Sequence, residues 1–187
     1  MLAATGLDVE VRTAQTVGGM PEVVEDQDTF SGNALKKARA LAALLPEDGL
    51  ALADDSGICI EAFDGAPGVY SARYAGEDAT DEENLDKLIR KMELLQDDQR
   101  GGSFECHLAV VAPNGDERIF VGEILGTILR ERRGEAGFGY DPVFLPVGED
   151  RTTAEMSSEE KAAISHRGNA MRQFLGWLPS ILRNSDT

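Results

Sequence analysis

The chain has 187 residues and a formal net charge of −16, from 18 basic and 34 acidic side chains. Its 42% hydrophobic and 28% charged content is that of a folded chain with one good core, not of a disordered one. The charge excludes broad nucleic-acid binding, which needs a basic stripe, and no apolar run approaches the roughly 18 residues that a membrane span requires.

In chain order, "LDVEVRT" (7–13) alternates well enough to predict a strand, and the polar, acidic stretch 14–28 reads as a connecting loop. Ala34, Leu35, Ala38, Leu41, Ala42 and Leu45 recur at helical spacing, predicting a helix over 30–45 that Pro46 ends. "LALAD" (50–54) is a short apolar strand running into a "DSG" turn, and "ICIEAF" (58–63) is a second strand, so the two are expected to form a hairpin. A Gly-rich loop follows over 64–79. Thr80 with Glu83 then forms a capping-box start for a helix over 80–95. "SFECHLAVVA" and "RIFVGEILGTIL" flank the turn "PNGD" (113–116) as an antiparallel hairpin. "SSEEKAAI" (157–164) is helical, and Ser165 is a candidate N-cap for a last helix with a Met171, Leu175, Leu178 stripe. The expected fold is one mixed α/β domain over 1–187, drawn out into two lobes around a cleft.

No basic segment leads a long apolar stretch at the N-terminus, so no secretory signal is expected. Cys59 and Cys106 lie in strand-like apolar runs without metal-ligand spacing, which fits buried free thiols in a reducing cytoplasm.

Four stretches break the pattern of core and surface. "ADDSG" (53–57) brings two carboxylates to the end of an apolar run, where ligands sit in many α/β sheets; it is also what a solvated turn looks like. Adjacent residues of a strand face opposite ways, so only one of these aspartates need reach a cleft. "EVVEDQDTF" precedes the first long helix. Asp28 or Thr29 can cap that helix, while Glu25, outside the cap, is the better ligand for a hard cation such as Mg²⁺. "EEKAAISHRG" gathers Lys161, His166 and Arg167. A cation in the first turn of a helix is disfavoured by the dipole, so Arg167 calls for a nearby anion; a surface turn with ordinary ion pairs is the other reading. "AGFGYDPVFLP" (136–146) surrounds Asp141 with aromatics, as either a strand-entry turn or a wall that stacks on a flat ring. Together the four supply metal-binding acids, phosphate-binding bases and a stacking wall, the inventory of a nucleotide-hydrolysing site.

As a set, "TFSGNALKKA", "LADDSG", "GAPGVYSARYAG", "GFGYDPVF" and "EEKAAISHRGNAM" resemble the signature segments of the inosine triphosphate pyrophosphatase family, the non-standard purine or dITP/XTP pyrophosphatases. The resemblance runs in order over roughly residues 20–178. It implies a mixed-sheet, two-lobed α/β fold with a central cleft, usually a homodimer, that hydrolyses ITP, dITP and XTP to the monophosphate and pyrophosphate with Mg²⁺. By the same resemblance Asp55 is the general base and a metal ligand, Glu25 helps hold the metal, and Ser56 contacts substrate. Lys37 and Lys161 face the phosphates. Phe138, Gly139, Tyr140 and Asp141 form the base-binding loop, with Phe138 as platform and Asp141 reading the purine edge, and His166 and Arg167 read the purine.

The family opens with a strand, a Ser/Thr-x-Asn-x-x-Lys phosphate loop and a helix, whereas "MLAATGLDVEV" resembles the end of that helix and the second strand. The chain is therefore expected to lack the first strand and the phosphate loop and to be less active than an upstream-extended form. Two further readings stay open at this point: a pyrophosphatase of modified pyrimidine nucleotides, like the Maf-type proteins, and a truncated nucleotide-binding remnant of low activity.

Overall fold

The computed structural model describes residues 9–46 and 48–184. Of the strand expected over 7–13, residues 7 and 8 lie outside the described residues, and 9–13 form no strand; a short 3-10 turn, Ala14–Val17, comes next. Alternation alone does not make a strand, because an extended segment needs a neighbour for its backbone groups.

Helix α1 spans Phe30–Ala42, and Thr29 is its cap: the Thr29 Oγ1 accepts the Gly32 N–H at 3.1 Å. The predicted last turn to Leu45 tightens into 3-10 bonds from Leu44 N–H to Leu41 O and from Leu45 N–H to Ala42 O. Its inner face carries Ala34 and Ala38, which meet Ala51 and Ala109 of the sheet. All four are fully buried, and residues this small let the helix lie close to the strands.

The expected hairpin at 50–63 is not formed. Residues Ala51–Ile60 are one continuous strand, β1, paired without a break to β2 (Gly101–Val111) from Ala51↔Val111 to Ile60↔Gly102. "DDSG" sits in the middle of it. Its turn-like composition has another origin: the aspartates and the serine meet polar partners on either face. Gly57 is small because a Cβ there would come within 2.5 Å of the Gly68 carbonyl oxygen and the Ser71 hydroxyl. Only after Ile60 does the chain turn, through Asp64 and Gly65 at positive φ, into the 3-10 segment Gly68–Arg73.

Helix α2 (Asp81–Met92) starts with the predicted Thr80–Glu83 capping box. Strand β3 (Glu117–Ile128) returns antiparallel to β2, and the short β4 (Phe144–Pro146) completes the sheet order β1-β2-β3-β4. Helix α3 (Ser158–Ile164) is capped by Ser157, and α4 (His166–Asn184) by Ser165, whose Oγ accepts the Gly168 N–H. Both cysteines are free, with Cys59 half-buried and Cys106 buried. Burial pushes their thiols up, to about 12 and about 11, so both stay protonated at neutral pH.

The long sheet carries separate apolar centres. At one end Ile58, Ile60, Phe104 and Ile128 pack with Leu88 and Met92 of α2 and with Phe144. At the other end α4 covers Leu108, Val110 and Phe120 through Phe174 and Leu178, while α1 covers the opposite face. The polar residues 54–57 of β1 fall between these centres, which is the physical content of the expected two lobes and cleft.

The first turn of α4 rests directly on β3. A Cβ at Gly122 would lie 2.0 Å from the His166 carbonyl oxygen and 2.4 Å from the Ala170 nitrogen. Asn169 and Gln173 donate side-chain hydrogen bonds to the Glu123 and Val121 carbonyls on either side of that glycine. Gly122→Ala is expected to cost roughly 1–3 kcal/mol through overpacking against backbone that cannot yield, read as a lower urea midpoint at unchanged m value. Gly176→Ala in the same helix, where a Cβ meets nothing within 4 Å, is expected to gain about 0.5–1 kcal/mol instead.

Candidate active site

Consecutive residues of β1 point to opposite faces of the sheet, so the two aspartates serve two different clusters. Asp55, 8% exposed, faces α1. Asn33 and Lys37, four residues apart on that helix, converge on it. Asn33 Nδ2 donates to Asp55 Oδ2 at 3.2 Å, and Lys37 Nζ lies 2.9 Å from Oδ1. The same ammonium reaches Glu25 at 3.2 Å. Glu25 is held from behind by Arg73, which donates to its backbone carbonyl at 2.9 Å. Burial pushes the Glu25 carboxyl up, and the neighbouring Asp55 adds to this against the opposing pull of Lys37.

This is a cluster of two acids sharing one ammonium, with hard oxygen donors held close together. The donor set fits Mg²⁺, which commonly takes one or two protein carboxylates and completes its shell with water and phosphate oxygens. Among the described residues no three or more His, Cys, Asp or Glu side chains gather in metal-binding geometry. Glu25 and Asp55 therefore suit an ion that arrives with a phosphate ligand rather than one caged by protein alone.

On the other face a cleft of about 640 Å³, mouth included, opens beside Ser56. The loop that walls it is built around Asp141, 2% exposed. One carboxylate oxygen accepts the Phe138 N–H at 2.8 Å and pairs with Lys161; the other accepts the Thr153 hydroxyl at 2.8 Å. Gly137 at φ +81° is required here, since a Cβ would fall 2.1 Å from Asp141 Oδ2. The Gly139 N–H is tied to Asp81 at 2.9 Å. Tyr140 is buried in the α2-side core and donates its hydroxyl to the Ser71 carbonyl. The stretch 136–146 is thus both a strand-entry turn and a cleft wall.

What the loop offers outward is the Phe138 ring, 61% exposed, with Lys161 Nζ 4.7 Å and the Arg167 guanidinium 5.5 Å from its centre. His166 lies deeper, 6% exposed and stacked on Phe104 at 4.9 Å between ring centres. Burial, reinforced by the nearby Arg167 and Lys161 charges, lowers its pKa to about 4, so the ring is neutral at physiological pH. Its Nδ1 is buried without a hydrogen-bond partner among the described residues. A bare acceptor is cheaper to bury alone than an N–H, which assigns the proton to Nε2.

All the residues singled out in the sequence fall into these two clusters, but two sit differently from expectation. Lys161, expected at the phosphates with Lys37, is instead anchored on Asp141 beside Phe138. Asp141, expected to read a purine edge, has both oxygens engaged within the protein and acts as the keystone of the loop. Sequence reasoning missed Asn33, Thr153 and Asp54. Asn33 was findable, because its i,i+4 spacing from Lys37 puts both on one helical face. Thr153 carried no local signal.

The sequence model of the Ham1 family matches residues 1–177. The chain belongs to the Ham1 family. The dITP/XTP pyrophosphatase of Opitutus terrae is 50% identical over 169 residues, covering 90% of this chain and 83% of its own. That of Leuconostoc mesenteroides is 43% identical over 183 residues, 98% and 90% of the two chains. Among solved structures, the HAM1 protein of Coxiella burnetii superposes with a TM-score of 0.85 at 40% identity, over 96% of this chain and 93% of that one. The Staphylococcus aureus Ham1 protein gives 0.79 at 40% identity, over 85% and 81%. The cleft and the acidic cluster therefore belong to a Ham1 fold, in which residues 54–57 of β1 carry one on each face.

The buried neutral histidine has a consequence for stability. Between pH 6.5 and about 4 the unfolded chain takes up a proton at His166 that the folded chain does not. Stability is therefore expected to fall as pH drops through that window, by roughly 3 kcal/mol at most for a shift of this size. Urea titrations of the wild type and His166→Asn from pH 7.5 to 4 should converge as the pH falls; curves that stay parallel would show that His166 does not titrate as the geometry requires.

Proposed function

We propose that this chain hydrolyses the triphosphates of non-standard purines (ITP, dITP and XTP) between the α and β phosphorus atoms, releasing the monophosphate and pyrophosphate. The observation that carries this is the placement of an acid–lysine–acid cluster and an aromatic, histidine- and arginine-lined cleft on the two faces of the same four residues of β1. The relatives' activity as dITP/XTP pyrophosphatases supports it. A net charge of −16 makes local handling of a polyphosphate obligatory, and Lys37, between Glu25 and Asp55, is the cation at hand.

In this reading Phe138 stacks on the purine. Arg167 and the Nε2–H of His166 donate to the O6 acceptor that hypoxanthine and xanthine present. Adenine carries a 6-amino donor there and would leave those donors unpaired, a mismatch that can cost ~10⁴-fold in kcat/KM. Lys37 moves its charge from Asp55 to the phosphate oxygens. Asp55 takes the proton of a water aimed at the α-phosphorus; the new P–O bond forms as the bond to the pyrophosphate oxygen breaks. Glu25 and Asp55 are the residues that would hold Mg²⁺, and the ion when bound would supply charge neutralisation for the leaving pyrophosphate. A homodimer belongs to the same reading on the family resemblance, and a cytoplasmic setting on the two free thiols.

Incubation with dITP and Mg²⁺ should release pyrophosphate, not orthophosphate, as the first product. Orthophosphate would exclude α–β cleavage. Asp55→Asn keeps the shape of the side chain but removes the base, and should lower kcat about 10²–10⁴-fold. Phe138→Ala should instead raise KM for dITP, by roughly 1–3 kcal/mol of lost stacking, with a smaller effect on kcat.

A further inference from the structure

Asp54 is the aspartate of the pair to which the reaction as proposed gives no part. Its Oδ2 accepts the Arg167 Nε–H at 2.9 Å and the Ser56 hydroxyl at 2.8 Å, with the Cys106 thiol at 3.9 Å. Arg167 stands in the first turn of α4, where the helix dipole opposes a positive charge, so an anion beside it is needed to hold it there. Asp54 is that anion.

The geometry of the contact matters as much as its charge. Arg167 meets Asp54 through Nε, leaving the direction of the terminal fork set by a bond on its other side. The guanidinium carbon stays 5.5 Å from the centre of the Phe138 ring. Ser56, which lines the cleft, donates its proton to Asp54, so its oxygen faces ligands as an acceptor only. One carboxylate thereby fixes both a donor and an acceptor of the cleft.

We propose that Asp54 is a positioning residue for base recognition: it orients Arg167, and with it Ser56, while its neighbour Asp55 serves the phosphate end. This rests on the cleft being the purine site, as proposed above. The two aspartates then divide one strand position between selectivity and chemistry.

Inosine monophosphate and pyrophosphate probe the two ends separately, by calorimetry on the full chain. Asp54→Asn, which keeps the shape and loses the charge, is expected to weaken inosine monophosphate about tenfold, the effect of one charge-assisted hydrogen bond, and to leave pyrophosphate affinity unchanged. With dITP the loss should fall on KM more than on kcat. Asp54→Glu, which keeps the charge, should recover part of the affinity. In an Arg167→Ala background, adding Asp54→Asn should cost clearly less than it does in the wild type, because only Ser56 is left for it to orient. An equal loss in both backgrounds, or a loss that falls on pyrophosphate binding and kcat, would overturn the proposal. Wild-type protein that binds no inosine monophosphate would overturn the purine reading itself, and the role of Asp54 with it.

Discussion

Two carboxylates on consecutive residues of a buried strand cannot share a partner, because the pleat sends them to opposite faces of the sheet. Each must find its own cations or donors, since a desolvated carboxylate left alone is too costly to keep ionised. Asp55 takes Lys37 and Asn33 from α1, and Asp54 takes Arg167 from α4 together with Ser56. The two helices that cover the sheet are thus anchored through polar bonds at the same point along β1. The apolar centres lie at the ends of the strands, where Ile58 and Ile60 on one side and Leu50 and Leu52 on the other pack into hydrophobic clusters.

The cleft wall obeys a similar logic. A loop that places an aromatic ring in solvent must be stiff for other reasons, and here the reason is Asp141. Its carboxylate ties the Phe138 backbone, Thr153 and Lys161 into one unit. Gly137 is small because that carboxylate occupies the space a side chain would need. Tyr140 pins the loop to the Gly68–Arg73 segment through the Ser71 carbonyl. That segment reaches in turn to Glu25 through Arg73. The two clusters are therefore joined by packing and hydrogen bonds as well as by β1, so a displacement at the cleft wall has a physical route to the acidic cluster.

The charge balance of the chain gives these contacts their weight. In a protein carrying 34 acidic and 18 basic residues, many cations sit in surface ion pairs such as Arg132 with Glu82 and Asp86, or Arg151 with Glu160. Pairs of that kind contribute little. Lys37 and Lys161 are different because they lie partly buried against carboxylates that are themselves buried. An anionic ligand entering there would compete with acids already in place.

The sequence by itself determined the helices, the Thr80 and Ser165 caps, the β2–β3 hairpin and the family, and left the cap of α1 open between Asp28 and Thr29. The Thr80–Glu83 capping box, the Ser165 cap and the "PNGD" turn are local: the partners lie within a few residues, so the pattern contains its own cause. The set of site residues was legible for a related reason, since five ordered motifs survive without reference to geometry. Only the tertiary structure decided that "DDSG" is mid-strand, that Lys161 belongs with Asp141, and that Asp54 is tied to Arg167. Those contacts join positions 20 to 113 residues apart, and composition read locally took the aspartates, serine and glycine of β1 for a turn. A turn and a polar strand crossing between two apolar centres demand the same residue types. Only the neighbours that fold onto the strand distinguish them.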